Sequence, residues 1–133
     1  MRKTVVAFLA AATTAVAVSL LPAPTAAAAP DIQNAEDQTY MRLLDRSGVL
    51  FSFNLQKRQG QRYCKDVIDG ATSLEAKEDL MELGGYSFDV ANAIGSSAGV
   101  AYCICADGAA MGVPYPGQCN QFETNYRQTG DYY

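Results

Sequence analysis

From residue 34 onward, apolar side chains recur at three- and four-residue spacing in four stretches, the pattern of helices that bury one face. The first helix opens at Asn34 or Asp37, places Tyr40, Leu43 and Leu44 on one side and stops at Gly48. Val49-Leu50-Phe51-Ser52-Phe53 has strand-like content, but with no second strand to pair it reads as a link packed on the core. The second helix takes Asn54 as N-cap and runs to Asp69, with Gly70 just beyond its end. Its inner face is Gly60, Tyr63, Cys64, Val67 and Ile68, opposite a basic stripe of Arg58, Arg62 and Lys65.

Thr72-Ser73-Leu74-Glu75 forms a capping box before a third helix that buries Ala76, Leu80 and Leu83 and ends at Gly84-Gly85. Ser87 caps a fourth, with Val90, Ile94, Ala98, Ala101 and Tyr102 inward. Gly95 and Gly99 give it a thin side on which another helix can lie closely. From Ala106 the texture turns to Gly, Pro, Asn, Gln and Tyr, with Val113-Pro114-Tyr115-Pro116-Gly117 as a turn signal. The prediction is an all-α fold: a small disulfide-stapled bundle of about four helices with an irregular C-terminal cysteine loop, then a poorly ordered end from about Asn120.

The residues before this pattern have a different character. Arg2 and Lys3 precede a mostly apolar run from Val5 to Leu21, followed by small residues and prolines. That is the layout of a Sec-type export signal, with cleavage expected after Ala28 because a cut after Ala29 would place Pro30 against the scissile bond. The run is short for a membrane anchor. No cysteine precedes Cys64 to carry a lipid, and Arg2-Lys3 is not a twin-arginine pair. The expected organisation is a signal at 1–28, a linker at 29–36, a helical domain at 37–105, and a cysteine-closed loop with a tyrosine-rich tail at 106–133. The product is expected to be secreted, in the medium or the cell envelope, with no transmembrane anchor after cleavage.

Without Arg2 and Lys3 the chain carries 8 basic and 14 acidic residues, a net charge of −6 that argues against nucleic acid as a partner. It contains no His and no Trp. His-assisted hydrolysis and His-ligated metals are therefore excluded. Nucleophile elbows and phosphate-cradling glycine loops are missing, so no catalytic residue, metal or cofactor is predicted.

Four cysteines in an exported domain read as two disulfides. Cys103 and Cys105 are too close to bond comfortably to each other. Of the two remaining pairings, the one adopted joins Cys64 to Cys103 and Cys105 to Cys119, worth roughly 4 and 3 kcal/mol by loop length. The spacing suits no zinc knuckle. A reactive Cys103-x-Cys105 pair is the redox alternative.

Three groups are candidates for contact with other molecules. Glu75, Glu78, Asp79 and Glu82 share one side of the third helix, which reads as a solvated face rather than an ion site. Arg58, Arg62 and Lys65 form a candidate anion contact, such as a lipid headgroup, although Asp66 and Asp69 stand four residues after Arg62 and Lys65 and neutralise them in part. Among eight tyrosines, Tyr40, Tyr63, Tyr86 and Tyr102 fall at core or rim positions. Tyr115, Tyr126, Tyr132 and Tyr133, with Phe122, have no evident core to join and form the candidate contact surface.

The order Tyr40-Met41 and Leu44, Gly48, Gly60-x-x-x-Cys64, Gly70, Tyr86-Ser87 and an Ala-rich helix ending in Tyr102-Cys103 resembles domain-of-unknown-function family 732 (DUF 732), short exported proteins of actinobacteria, chiefly mycobacteria. The resemblance covers Asp37 to Cys103. It implies a small all-helical domain with Cys64 bonded to Cys103, and no activity or catalytic residues to carry over. After Cys103 this chain departs from the family, adding the second cysteine loop and the tail.

Taken together these features predict a monomeric, non-enzymatic binding module whose partner is an unknown protein or envelope component. The alternative is a carrier of a lipid or other small apolar ligand, held between the helices with Phe51, Phe53 and Phe88 near its mouth.

Overall fold

In a computed structural model, which describes residues 34–49 and 52–131, every helix but the one that begins at Phe53 starts where a side chain accepts a free backbone amide. The predicted signal at 1–28, residues 29–33 of the linker, and Leu50, Phe51, Tyr132 and Tyr133 lie outside the described residues. Every described residue belongs to one compact unit, Asp31–Tyr133.

Asn34 Oδ1 accepts the Asp37 N–H at 2.9 Å and opens α1, Ala35–Arg46. Helix α2, Phe53–Ile68, begins after Ser52 rather than at the predicted Asn54 cap. Ser52 is extended and its carbonyl already accepts the Gln56 N–H at 3.1 Å, which draws Asn54 into the first turn. Helix α3, Ser73–Gly84, has the predicted capping box in full, with Glu75 N–H on Thr72 Oγ1 and Thr72 N–H on Glu75 Oε2. It ends at Gly85, whose φ of +69° suits a residue without a Cβ. Ser87 caps α4, Phe88–Ala101, as predicted.

Helix α4 is the centre of the bundle and packs against α1, α2 and α3. Its small residues allow this: a Cβ at Gly95 would stand 2.9 Å from both Tyr63 and Lys77. Its Ile94 and Ala98 meet Tyr40, Leu44, Tyr63, Val67, Ala76, Leu80 and Tyr102 in one core, all buried. The Cys64–Cys103 disulfide sits among them, with both cysteines fully enclosed. The second bond joins Cys105 to Cys119. Both expected pairings are present.

Two further sequence expectations are corrected. Leu83 was expected on the inner face of the third helix but is 58% exposed, because the Tyr86 ring folds against Gly84 and covers that end of α3. More consequentially, the described residues form six helices, not about four. The additional two are α5, Ile104–Ala110, and α6, Gln121–Thr129, so the region from Asn120 is a docked helix where a poorly ordered end was expected. Among the described residues no strand occurs, and no helix is long and apolar enough to cross a membrane.

Candidate functional site

The C-terminal segment has too few apolar residues for a core of its own and is held by polar side chains reaching between helices. Glu36 of α1 accepts the Gln121 and Phe122 amides at the start of α6. In return the start of α6 serves α5: Asn120 Oδ1 accepts the Ile104 N–H at 2.6 Å, and Glu123 Oε1 accepts the Cys105 and Ala106 amides at 3.1 and 3.2 Å. Glu123 is fully buried and its other oxygen pairs with Arg127. The first amides of these two helices are thus served by side chains distant in sequence. Burial raises the Glu36 carboxyl above its ordinary value, against the pull of the two amides it accepts.

Two of the predicted contact residues are consumed by this docking. Phe122 packs on Tyr102 with ring centroids 5.6 Å apart and stacks on Tyr126 at 6.3 Å. Tyr126 is buried and donates its hydroxyl proton to Asp69. With Tyr40 5.0 Å from Tyr102, an aromatic row runs from α1 to α6. Phe122 and Tyr126 are therefore core extensions rather than a contact surface. Their four-residue spacing, with Glu123 and Arg127 at the same interval and Gly130 after them, is the amphipathic signal that marks α6 in the sequence.

What stays outside is the loop between the two helices. Residues 111–119 are all exposed, including Met111 at 58%, Val113 at 66% and Tyr115 at 43%. Its base is closed by Cys105–Cys119 and by the Val113 N–H on Gly108 O at 2.7 Å. The Tyr115 ring lies over Gly117, where a Cβ would come within 2.7 Å of it. Tyr115 alone of the predicted contact set is exposed among the described residues, and Met111 and Val113 join it unforeseen.

Two of the three residues of the basic stripe are bonded within the molecule. Arg62 reaches across to Asp79 of α3 at 3.0 Å, not to Asp66 as its spacing suggested, and Lys65 pairs with Asp69 at 3.1 Å, as expected. The hydrogen bond to Asp69 raises the Lys65 ammonium above its ordinary value. Arg58 is exposed. Below the stripe is a cleft of about 420 Å³ lined by Arg62, Asp66, Asp69, Ala71, Glu75, Ala76 and Asp79. Burial, then the hydrogen bond with Asp79 and its charge, push the Asp66 carboxyl up to about 6. Glu75, holding the Thr72 amide, is shifted below the ordinary carboxylate range. Such a charged lining is the opposite of an apolar ligand chamber. Of the aromatic residues assigned to the mouth of a carrier site, Phe53 packs on the core and Phe88 is half exposed at the start of α4.

Two buried clusters were not foreseen. Tyr102 donates to Asp37 at 2.8 Å, and Lys57 pairs with the same fully buried carboxylate at 2.9 Å. Tyr63 donates to Asp107 and meets Ser73 at 2.8 Å. Burial raises the hydroxyls of Tyr40, Tyr63 and Tyr102 well above the usual phenol range, and for the latter two the adjacent carboxylate adds to it. These tyrosines act as apolar bodies with one satisfied polar tip. Cys105, Cys119 and Glu123 place ligand-type atoms within 4.8 Å of one another, but both sulfurs are spent in a disulfide and the carboxylate holds two amides and Arg127. None of the four cysteines is free, so the Cys103-x-Cys105 redox pair does not exist in this state. No family model, curated protein or solved structure matches the chain.

Proposed function

We propose that this is a secreted, non-enzymatic binding module, released by its N-terminal signal into the cell envelope or medium, with the loop at 111–119 as its contact surface. The observation that carries the reading is the contrast within the C-terminal segment: Phe122 and Tyr126 turn inward, while Met111, Val113 and Tyr115 stay exposed on a loop tied at both ends. Apolar side chains clustered on a covalently closed loop suit recognition, because little conformational freedom is lost on binding. The kinship with DUF 732 is part of this proposal, and the Cys64–Cys103 bond is the pairing that the resemblance implies. The loop lies beyond the part that resembles the family, so its partner is expected to be particular to this chain.

The test is capture from envelope and medium fractions with the mature chain and with its Met111→Ser/Val113→Ser/Tyr115→Ser variant. At least one protein should be retained by the first and lost with the second. Identical retention by both would end the proposal.

A further inference from the structure

The loop has a second property beyond exposure. From Gly108 to Phe122 it has no charged side chain, although charged residues make up 18% of the chain. Within it, Val113 and Tyr115 each precede a proline, which pushes both toward extended backbone, while Pro114 and Pro116 hold φ near −65°. Four consecutive residues are thus predisposed to the polyproline II form, and all four are exposed and outside any helix or strand. The two prolines have no N–H. Among the described residues, the carbonyls of Pro114, Tyr115 and Pro116 accept no hydrogen bond.

Resting on the reading of this loop as the contact surface, we infer that Val113-Pro114-Tyr115-Pro116 is a preformed polyproline-type ligand for a partner protein whose apolar groove is lined by tryptophan and tyrosine. Such a groove stacks on proline rings and offers indole N–H and phenol O–H donors to free carbonyls. A lipid bilayer does not match. Its hydrocarbon region leaves carbonyls without donors, and the acidic chain places no basic residue in the loop to meet anionic headgroups. The disulfide and the Val113 to Gly108 bond hold the segment in place before binding, so the ordering cost is low.

The chain has no tryptophan, so tryptophan emission from a mixture belongs to the partner alone. The protein retained by the mature chain and lost with the serine variant is titrated with wild type and with Pro114→Ala/Pro116→Ala, which keeps both disulfides and every side chain of the core. Binding should shift the partner's tryptophan emission, and the alanine variant should bind about tenfold more weakly at an unchanged melting temperature. Affinity of the variant within about twofold of wild type, or saturation with no change in emission, overturns the inference while leaving the binding role intact. Co-sedimentation with phosphatidylglycerol vesicles that the serine substitutions abolish overturns it in favour of a membrane.

Discussion

The two disulfides hold regions built on different physics. Cys64–Cys103 lies inside the four-helix part, where tyrosines and aliphatic side chains already enclose α4 on several sides. Cys105–Cys119 is at the surface with Cys119 exposed, and the segment around it relies on Glu36, Asn120 and Glu123 to satisfy helix ends and on two rings to reach the core. In the first region the bond reinforces a core that burial creates. In the second it substitutes for a core that the residues are too polar to form. A segment so held can keep an apolar loop exposed, because its stability does not depend on burying that loop.

Breaking the bonds one at a time gives the largest expected effects. Cys64→Ala/Cys103→Ala should lower stability by about 4 kcal/mol and move the whole urea transition to lower concentration. Cys105→Ala/Cys119→Ala, by the shorter loop worth about 3 kcal/mol at most, should remove amide-exchange protection chiefly from residues 104–131. Protection lost evenly over α1 to α4 in the second variant would show that the regions are one cooperative unit and that the contrast is false.

That contrast also explains what the sequence revealed. The four-helix part was legible because its determinants are local: Asn34, Thr72 and Ser87 each cap within three residues, and Tyr40, Tyr63 and Ile94 follow helical spacing onto one face. Helix α5 was not, since Ile104–Ala110 is seven residues long and its first three amides are served by Asn120 and Glu123, at least sixteen positions away. Helix α6 was partly legible in the Phe122 and Tyr126 spacing, but nothing local announces Glu36 as its cap. Of the side chains expected to stay exposed in that segment, Phe122 and Tyr126 are docked instead, because exposure there depends on packing against Tyr102, a non-local fact.

Removing a single remote cap sharpens the comparison at smaller scale. Glu123→Ala deprives two buried amides of a charged acceptor and leaves Arg127 to rehydrate, so the loss should be about 2 kcal/mol. Glu36→Gln keeps an acceptor for the α6 amides and should cost less, about 0.5 to 1 kcal/mol. Exchange at 104–110 should follow the first variant and exchange at 121–129 both. If Glu123→Ala leaves α5 protected, the cap network does not hold the segment.

The smallest effect is confined to the other region and to its response to pH. Asp66 on α2 shares a hydrogen bond with Asp79 on α3, and its folded value of about 6 stands above its ordinary 3.8. The folded state therefore holds the extra proton. The resulting stabilisation is complete below about pH 3.8 and fades as pH rises through about 6, where two carboxylates face each other with Arg62 and Lys65 moderating the repulsion. Because the cleft is open to water, the gain should be no more than about 1 kcal/mol. Subtracting the pH profile of Asp66→Asn from that of wild type isolates this contribution from Glu36, which is shifted the same way, and Glu75, which is shifted oppositely. Parallel profiles from pH 4 to 8 would mean that the carboxyl pair does not join α2 to α3, and that the polar contact between them rests on Arg62 and Asp79 and on Tyr63 and Ser73 instead.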